Sequence, residues 1–237
     1  MRTQLAGIEE IEAALASGEA VRLVLVASDS TEPEIAALAD RARRAGVPVH
    51  AASERSLWRL SKRNPPARAL ALVGPAPSAG EEEVLHAGGA AWLLVGTAYP
   101  GNTGFAIRTA EVSGADGIFI DNDFEHEGKR EATRAAMRAD RFMPVFWRPA
   151  LEVVPAARAA GRRIVAIEDV GTAAPWEIDL TRPALLIIGG EHAGIPDAVL
   201  EQADDVLRIP MRGFIPSYNL QAAMAGVALE RLRQLGN

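Results

Sequence analysis

The sequence predicts an α/β fold in two parts, and three observations carry that prediction. Short apolar runs alternate with amphipathic helical stretches along almost the whole chain. A segment rich in proline, glycine and charge, Pro75-Ala76-Pro77-Ser78-Ala79-Gly80-Glu81-Glu82-Glu83, interrupts that alternation. Beyond it, strand-like runs end in glycine-containing loops and lead into helices, the pattern of a parallel sheet that binds ligands at its carboxyl edge.

In the first part, residues Ile8 to Ala16 carry apolar positions at helical spacing and stop at Gly18. Val21 to Val26 reads as a buried strand. Pro33 to Arg44 reads as a helix capped by Thr31 and stopped by Gly46. Val47 to His50 is a short strand, Ser53 to Ser61 a helix, and Ala69 to Val73 a strand. Residues 1–74 are therefore expected to form a small α/β domain, 75–90 a linker holding at most one short helix, and 91–237 a second domain.

In that second domain, strand Ala91 to Val95 meets a glycine-rich loop, Gly96 to Gly104, before a helix from about Phe105 to Ser113. Further strands are expected at Gly117 to Ile120, Met143 to Phe146, Ile164 to Ile167, Ala184 to Ile188 and Val206 to Ile209. Helices are expected at Lys129 to Ala139, Ala150 to Ala160, Pro196 to Ala203 and Tyr218 to Leu235.

Composition narrows the function classes. The chain has 237 residues, 49% of them hydrophobic and 24% charged, with no cysteine. Disulfides, thiolate chemistry and cysteine-based zinc sites are excluded. No apolar run reaches the roughly 18–20 residues of a membrane span, and Met1 to Leu5 lacks the apolar stretch of a signal peptide. A cytoplasmic location is expected. The net charge of −6 weighs against nucleic-acid binding at the level of the whole chain. Basic clusters nevertheless occur at Arg41, Arg43 and Arg44, at Arg59, Lys62 and Arg63, and along Lys129, Arg130, Arg134, Arg138 and Arg141. Each is equally readable as a solvated helix face or a phosphate-contacting patch. The four histidines lack metal-ligand spacing, and no metal is expected. His126 sits in an acidic run expected to be a solvated loop.

Three motifs concentrate the chemistry. In the first, Pro100-Gly101-Asn102-Thr103-Gly104 precedes a helix bearing Arg108, so backbone N–H groups at a helix start and two polar side chains can face one site. Read alone, a capped helix with a surface arginine is the plainer reading. In the second, a buried strand ends at Gly189-Gly190-Glu191 and continues through His192-Ala193-Gly194; glycines let backbone approach a ligand closely. The spacing is not that of a dinucleotide loop, which disfavours a nucleotide-dependent oxidoreductase. In the third, Ile209-Pro210-Met211 leads to Ser217-Tyr218-Asn219 at a helix start, where capping by Ser217 is the plain reading. If the three preceding strands are parallel neighbours, their loops gather at one edge as one composite site.

The ordered set of motifs resembles the SpoU/TrmH family of RNA ribose 2′-O-methyltransferases, in the knotted SPOUT class. The segment from Arg134 to Val145 is also similar. The resemblance implies a trefoil-knotted methyltransferase domain, S-adenosyl-L-methionine as cofactor, ribosomal or transfer RNA as substrate, and a homodimer. It implies catalytic roles around the target ribose for Asn102, Arg108, Glu191, Ser217 and Asn219. Beside the resemblance, the charge of Glu191 suits it to hold Arg108 in place. The resemblance implies a cofactor pocket built from Gly189, Gly190, Glu191, Gly194, Ile209, Met211, Ser217 and Leu220. Residues 1–74 are similar in pattern to the small RNA-binding domain that many members carry. Against the family pattern, Tyr99 stands where aspartate is common, Tyr218 where leucine is usual, and Gly190 often has a polar counterpart. A catalytically silent protein that keeps the fold for RNA binding or assembly is the alternative.

Overall fold

A computed structural model describes residues 2–215 and 217–236; Met1, Pro216 and Asn237 lie outside it, and with Pro216 the end of the third motif's expected loop. The described chain divides into two compact units, residues 2–76 and 77–236.

The first unit runs β1 (Thr3–Ala6), α1 (Ile8–Ser17), β2 (Val21–Ala27), α2 (Pro33–Arg44), β3 (Val49–Ala52), α3 (Glu54–Ser61) and β4 (Ala69–Val73). Its sheet has the order β1-β4-β2-β3, with β4 antiparallel to both neighbours and β2 parallel to β3. Ile11, Val24, Leu38 and Ala42 are fully buried between sheet and helices. Strand β1 went unread in the sequence because Thr3-Gln4-Leu5-Ala6 has no apolar run; it is an edge strand held by its register with β4. The cap expected from Thr31 is not made. Helix α2 has Glu32 at its N-cap and Pro33 at its first turn, so the helix start is set by proline geometry instead of a side-chain bond.

The second unit runs α4 (Glu81–His86), β5 (Ala90–Val95), α5 (Pro100–Val112), β6 (Gly117–Asp121), α6 (His126–Ala135), β7 (Val145–Trp147), α7 (Ala150–Ala159), β8 (Arg163–Ile167), β9 (Ala184–Gly189), α8 (Asp197–Leu200), β10 (Asp205–Leu207) and α9 (Leu220–Gln234). Its six strands are all parallel, in the order β10-β8-β9-β5-β6-β7. Both faces are covered, which is why the central strands read as continuous apolar runs. Trp92, Leu94, Ile118, Ile120, Leu186 and Ile188 pack under α5 and α9 with Ile107, Met224 and Val227. Leu93, Val95, Phe119, Leu185 and Ile187 face the other way, onto Val153 and Val154 of α7 and Val199 of α8.

Several boundaries differ from the sequence reading. Residues 77–90, expected as linker, place Ala79, Val84 and Leu85 in this second core. The reason is the short apolar pair Val84-Leu85, which the surrounding glutamates and glycines mask in sequence. Helix α6 begins at His126, so the end of the acidic run is helical, and the expected helix to Ala139 breaks at Ala136 with Met137 and Arg138 at positive φ. Helix α5 begins at Pro100, absorbing residues expected to be loop. Gly104 lies inside it, and a Cβ there would stand 2.4 Å from the Ala132 carbonyl oxygen and 2.5 Å from Ala135 Cβ. That glycine serves close packing of α5 on α6, not loop freedom.

Candidate functional site

The registers bring Val95 opposite both Gly189 and Asp121, and Ile167 opposite both Ile188 and Leu207, so β5, β6, β8, β9 and β10 end along one edge. In a parallel sheet this is where helix N-termini and loops present their polar groups.

Strand β9 leaves this edge between two other stretches of backbone. Gly190 N–H donates to the Val95 carbonyl at 2.7 Å. A Cβ on Gly189 would lie 2.2 Å from the Gly194 carbonyl carbon, and one on Gly190 would lie 2.0 Å from the Gly96 carbonyl oxygen. Both positions therefore exclude any side chain. The turn they make delivers Glu191, half-buried, to the first motif.

Glu191 is the hub of the site. Its Oε2 accepts from Ala98 N–H at 2.9 Å, and its Oε1 accepts from Asn102 Nδ2 at 2.5 Å. Asn102 Oδ1 in turn accepts from Asn219 Nδ2 at 3.4 Å, and Asn219 Oδ1 accepts from Gln221 N–H at 3.0 Å, capping α9. One carboxylate thus ties residues of all three motifs into a single chain of hydrogen bonds. The loop after β5 is braced from below: buried Thr103 donates to Thr97 Oγ1 at 2.8 Å, and Asn122 Nδ2 donates to the Thr97 carbonyl at 2.7 Å.

Three expectations change here. Glu191 does not hold Arg108; its carboxylate is taken by Asn102 and the Ala98 amide. Asn102 and Arg108 are six residues apart on α5, which at about 100° per residue turns them to different faces, and Arg108 is exposed and outside the cleft lining. The cap of α9 is Asn219, not Ser217, which is exposed on the cleft wall.

Beside the hub opens a cleft of about 380 Å³. Gly189, Gly190, Glu191, Gly194, Ile209, Met211, Ser217 and Leu220 all line it, together with Asn219. Its apolar wall also includes Ile188 and Ala223, and its acidic end is Glu168 and Asp169. The last two went unread in the sequence. The third motif's strand, β10, is not a neighbour of β9; β8 lies between them, and the end of β8 supplies both carboxylates. Glu168 Oε2 accepts from Ile195 N–H at 2.9 Å, and a Cβ on Gly194 would come within 2.6 Å of it. The readable signal was position alone, since any parallel strand of this sheet ends at the same edge.

Among the described residues, no group of three or more histidines and acids is placed to hold a metal ion. Nor is any helix among them long and apolar enough to cross a membrane.

Residues 91–229 match the family model described as SpoU rRNA Methylase family, well over half of the chain. The chain belongs to the SpoU rRNA methylase family. Over nearly their full lengths, 96% of each, it is 27% identical to the 23S rRNA (guanosine-2′-O-)-methyltransferase RlmB of Photobacterium profundum. It is 26% identical to the 23S rRNA (guanosine(2553)-2′-O)-methyltransferase RlmP of Bacillus subtilis, covering 91% of this chain and 82% of that one. Among solved structures, the AdoMet-bound rRNA methyltransferase from Sinorhizobium meliloti superposes with a TM-score of 0.58 at 25% identity, covering 99% of this chain and 88% of that one. The six-stranded parallel sheet of this SpoU member and the hub at its carboxyl edge coincide with the segment that the family model spans.

Proposed function

We infer that this protein transfers a methyl group from S-adenosylmethionine to a ribose 2′-hydroxyl of ribosomal RNA. The observation that carries the reading is the Glu191 hub, which joins Asn102 and Asn219 from separate motifs beside a cleft. Family membership and the AdoMet-bound relative support the cofactor.

The cleft fits that cofactor chemically. Its size is within the range of about 300–1,000 Å³ for small-ligand sites. Ile188, Leu220 and Ala223 offer an apolar wall for a flat heterocycle, while Glu168 and Asp169 offer carboxylates to hydroxyl groups and to positive charge. When bound, the cofactor supplies an electrophilic methyl on a sulfonium centre. The chain's own task is orientation. Glu191 fixes the Asn102 amide and the Ala98 loop, and through Asn102 it fixes the start of α9. The free valences of these amides and the Ser217 hydroxyl are the groups offered to a ribose. Arg108, exposed on α5, is assigned to the adjacent RNA phosphate and to charge developing on the 2′-oxygen. A guanidinium does not act as the base, because its pKa exceeds about 12.

Three further assignments belong to the same reading. The C-terminal unit threads the trefoil knot of its class. Two copies associate through α5 and α9, where Phe105, Val112 and Leu229 are 48%, 73% and 66% exposed, while Met224 and Val227 of α9 lie inside their own core. The first unit contributes to RNA binding in the cytoplasm through α3, where Lys62 Nζ sits 4.7 Å above the exposed Trp58 ring beside Arg55 and Arg59.

Calorimetry with S-adenosylmethionine and labelled methyl transfer to ribosomal RNA test the reading together. Binding with RNA labelling supports it. Binding without labelling supports the silent RNA-binding protein, and no binding at millimolar cofactor overturns the methyltransferase.

A further inference from the structure

We propose that Tyr99 and His192 form a docking notch for the nucleobase of the nucleotide being modified. The proposal rests on the reading of the Glu191 hub as the methyl-transfer site. The two rings stand 5.9 Å apart, centroid to centroid, at an interplanar angle of 67°. The rings meet edge to face, so they touch one another without stacking, and the rest of each ring faces solvent. Both side chains are exposed, Tyr99 by 53%. Neither ring is spent on the core.

Their placement ties them to the hub. Tyr99 follows Ala98, whose N–H donates to Glu191 Oε2. His192 follows Glu191 itself. Each ring is thus one residue from a group of the hub, on opposite sides of the same hydrogen bond. Tyr99 also precedes α5, and its carbonyl accepts from Thr103 N–H at 3.1 Å, so its backbone is fixed while its ring is free to be covered. A ribose seated at Asn102 and Glu191 would have its base within reach of this pair of rings. An unstacked RNA base is held by aromatic faces and by hydrogen bonds to its edge. Tyr99 supplies the face, and the His192 ring nitrogens supply a donor and an acceptor at the adjoining wall.

The test uses the full-length protein with ring-labelled tyrosine and histidine; the chain has only 2 tyrosines and 4 histidines, so the signals resolve. Nucleoside 5′-monophosphates are titrated, with ribose 5-phosphate as the control lacking a base. The notch predicts saturable shifts of the Tyr99 and His192 rings with the nucleotides and little change with the control. Tyr99→Ala should abolish the His192 shift, and Tyr99→Phe should keep it. On RNA, Tyr99→Ala should lower kcat/KM by roughly 5- to 150-fold, the usual effect of losing one base stack, with cofactor affinity unchanged and Tyr99→Phe close to wild type. Absence of base-dependent ring shifts overturns the notch, as does a Tyr99→Ala enzyme that methylates RNA within twofold of wild type. Ring shifts in a protein that methylates no RNA leave the notch standing and remove the methyl-transfer reading instead.

Discussion

The two edges of the six-stranded sheet are built on opposite principles. At the carboxyl edge, polar side chains stand half-buried around a cleft, glycines let backbones cross, and aromatic rings are left in solvent. At the amino edge the polar groups are sealed. Arg162, just before β8, is completely buried and pairs with equally buried Asp116 at 2.9 Å. Its guanidinium also donates to the carbonyls of Leu85 at 2.7 Å, of Gly89 and Ala184 at 2.9 Å, and of Ala87 at 2.8 Å. Asp116 accepts from Gly89 N–H at 2.8 Å. One arginine thereby ties the starts of β5, β6, β8 and β9. The difference teaches that buried charge marks structure when every donor is satisfied by backbone, and marks function when partners are shared across loops beside open space.

The comparison predicts that variants at the two edges fail in different ways. The largest effect on folding falls at the amino edge. Arg162→Ala strands a buried carboxylate and several carbonyls, and should cost about 3–5 kcal/mol in urea denaturation, while folded molecules keep their cofactor affinity. A loss below about 1 kcal/mol would mean water replaces the guanidinium.

If Arg108 meets the RNA as proposed, Arg108→Ala should lower the rate of methyl transfer by about 10²–10³, with cofactor affinity and unfolding midpoint nearly unchanged. Arg108→Lys should not rescue fully, since an ammonium cannot reproduce the planar fork. Near-normal turnover would remove Arg108 from the site, and a large loss of cofactor affinity would move it to the cleft.

A smaller effect is expected at the hub. Glu191→Gln keeps the shape but exchanges one carboxylate acceptor for a donor facing the Ala98 or Asn102 N–H. Turnover should fall by about tenfold, the scale of one lost hydrogen bond. A loss equal to that of Arg108→Ala would show that Glu191 acts in the reaction directly.

The smallest effect is a pH dependence at the amino edge. Burial pushes the Asp204 carboxyl up, but hydrogen bonds from Ile164 N–H and Arg158 outweigh it and hold the group below its ordinary value. A depressed carboxyl stabilises the fold above its unfolded pKa of about 3.9 and loses that contribution as pH falls through its folded value. The stability gap between wild type and Asp204→Asn should therefore be present at neutral pH and shrink in acid below about pH 4. A constant gap down to acid would mean the charge contributes nothing.

The contrast between edges also explains what the sequence disclosed. The carboxyl edge is legible because its motifs follow one another in a specific order, Pro100-Gly101-Asn102 after one strand and Gly189-Gly190-Glu191 after another, although each has a plain structural reading alone. Gly189, Gly190, Gly194, Ile209, Met211, Ser217 and Leu220, which the family resemblance implies as one pocket, line one cleft. Glu168 and Asp169 were not read, because nothing near them signals a loop that approaches a ligand. Helix α5 starts at Pro100, five residues before the sequence reading places it, so Asn102 lies in its first turn on Glu191 while Arg108 is two turns in and exposed. The amino edge was invisible. Arg162 is followed by Arg163, which pairs in part-exposed fashion with Asp205, and nothing in the sequence tells the buried arginine from the exposed one. Their fates are decided by carbonyls up to 78 positions away in the chain.

Transfer of labelled methyl from S-adenosylmethionine to ribosomal RNA, followed by mapping of the modified position, tests the central claim most directly. Label is expected on the ribose 2′-oxygen at a defined nucleotide, lost with Arg108→Ala and reduced with Glu191→Gln. Label on a base, or RNA left unlabelled by a protein that binds the cofactor, would contradict it.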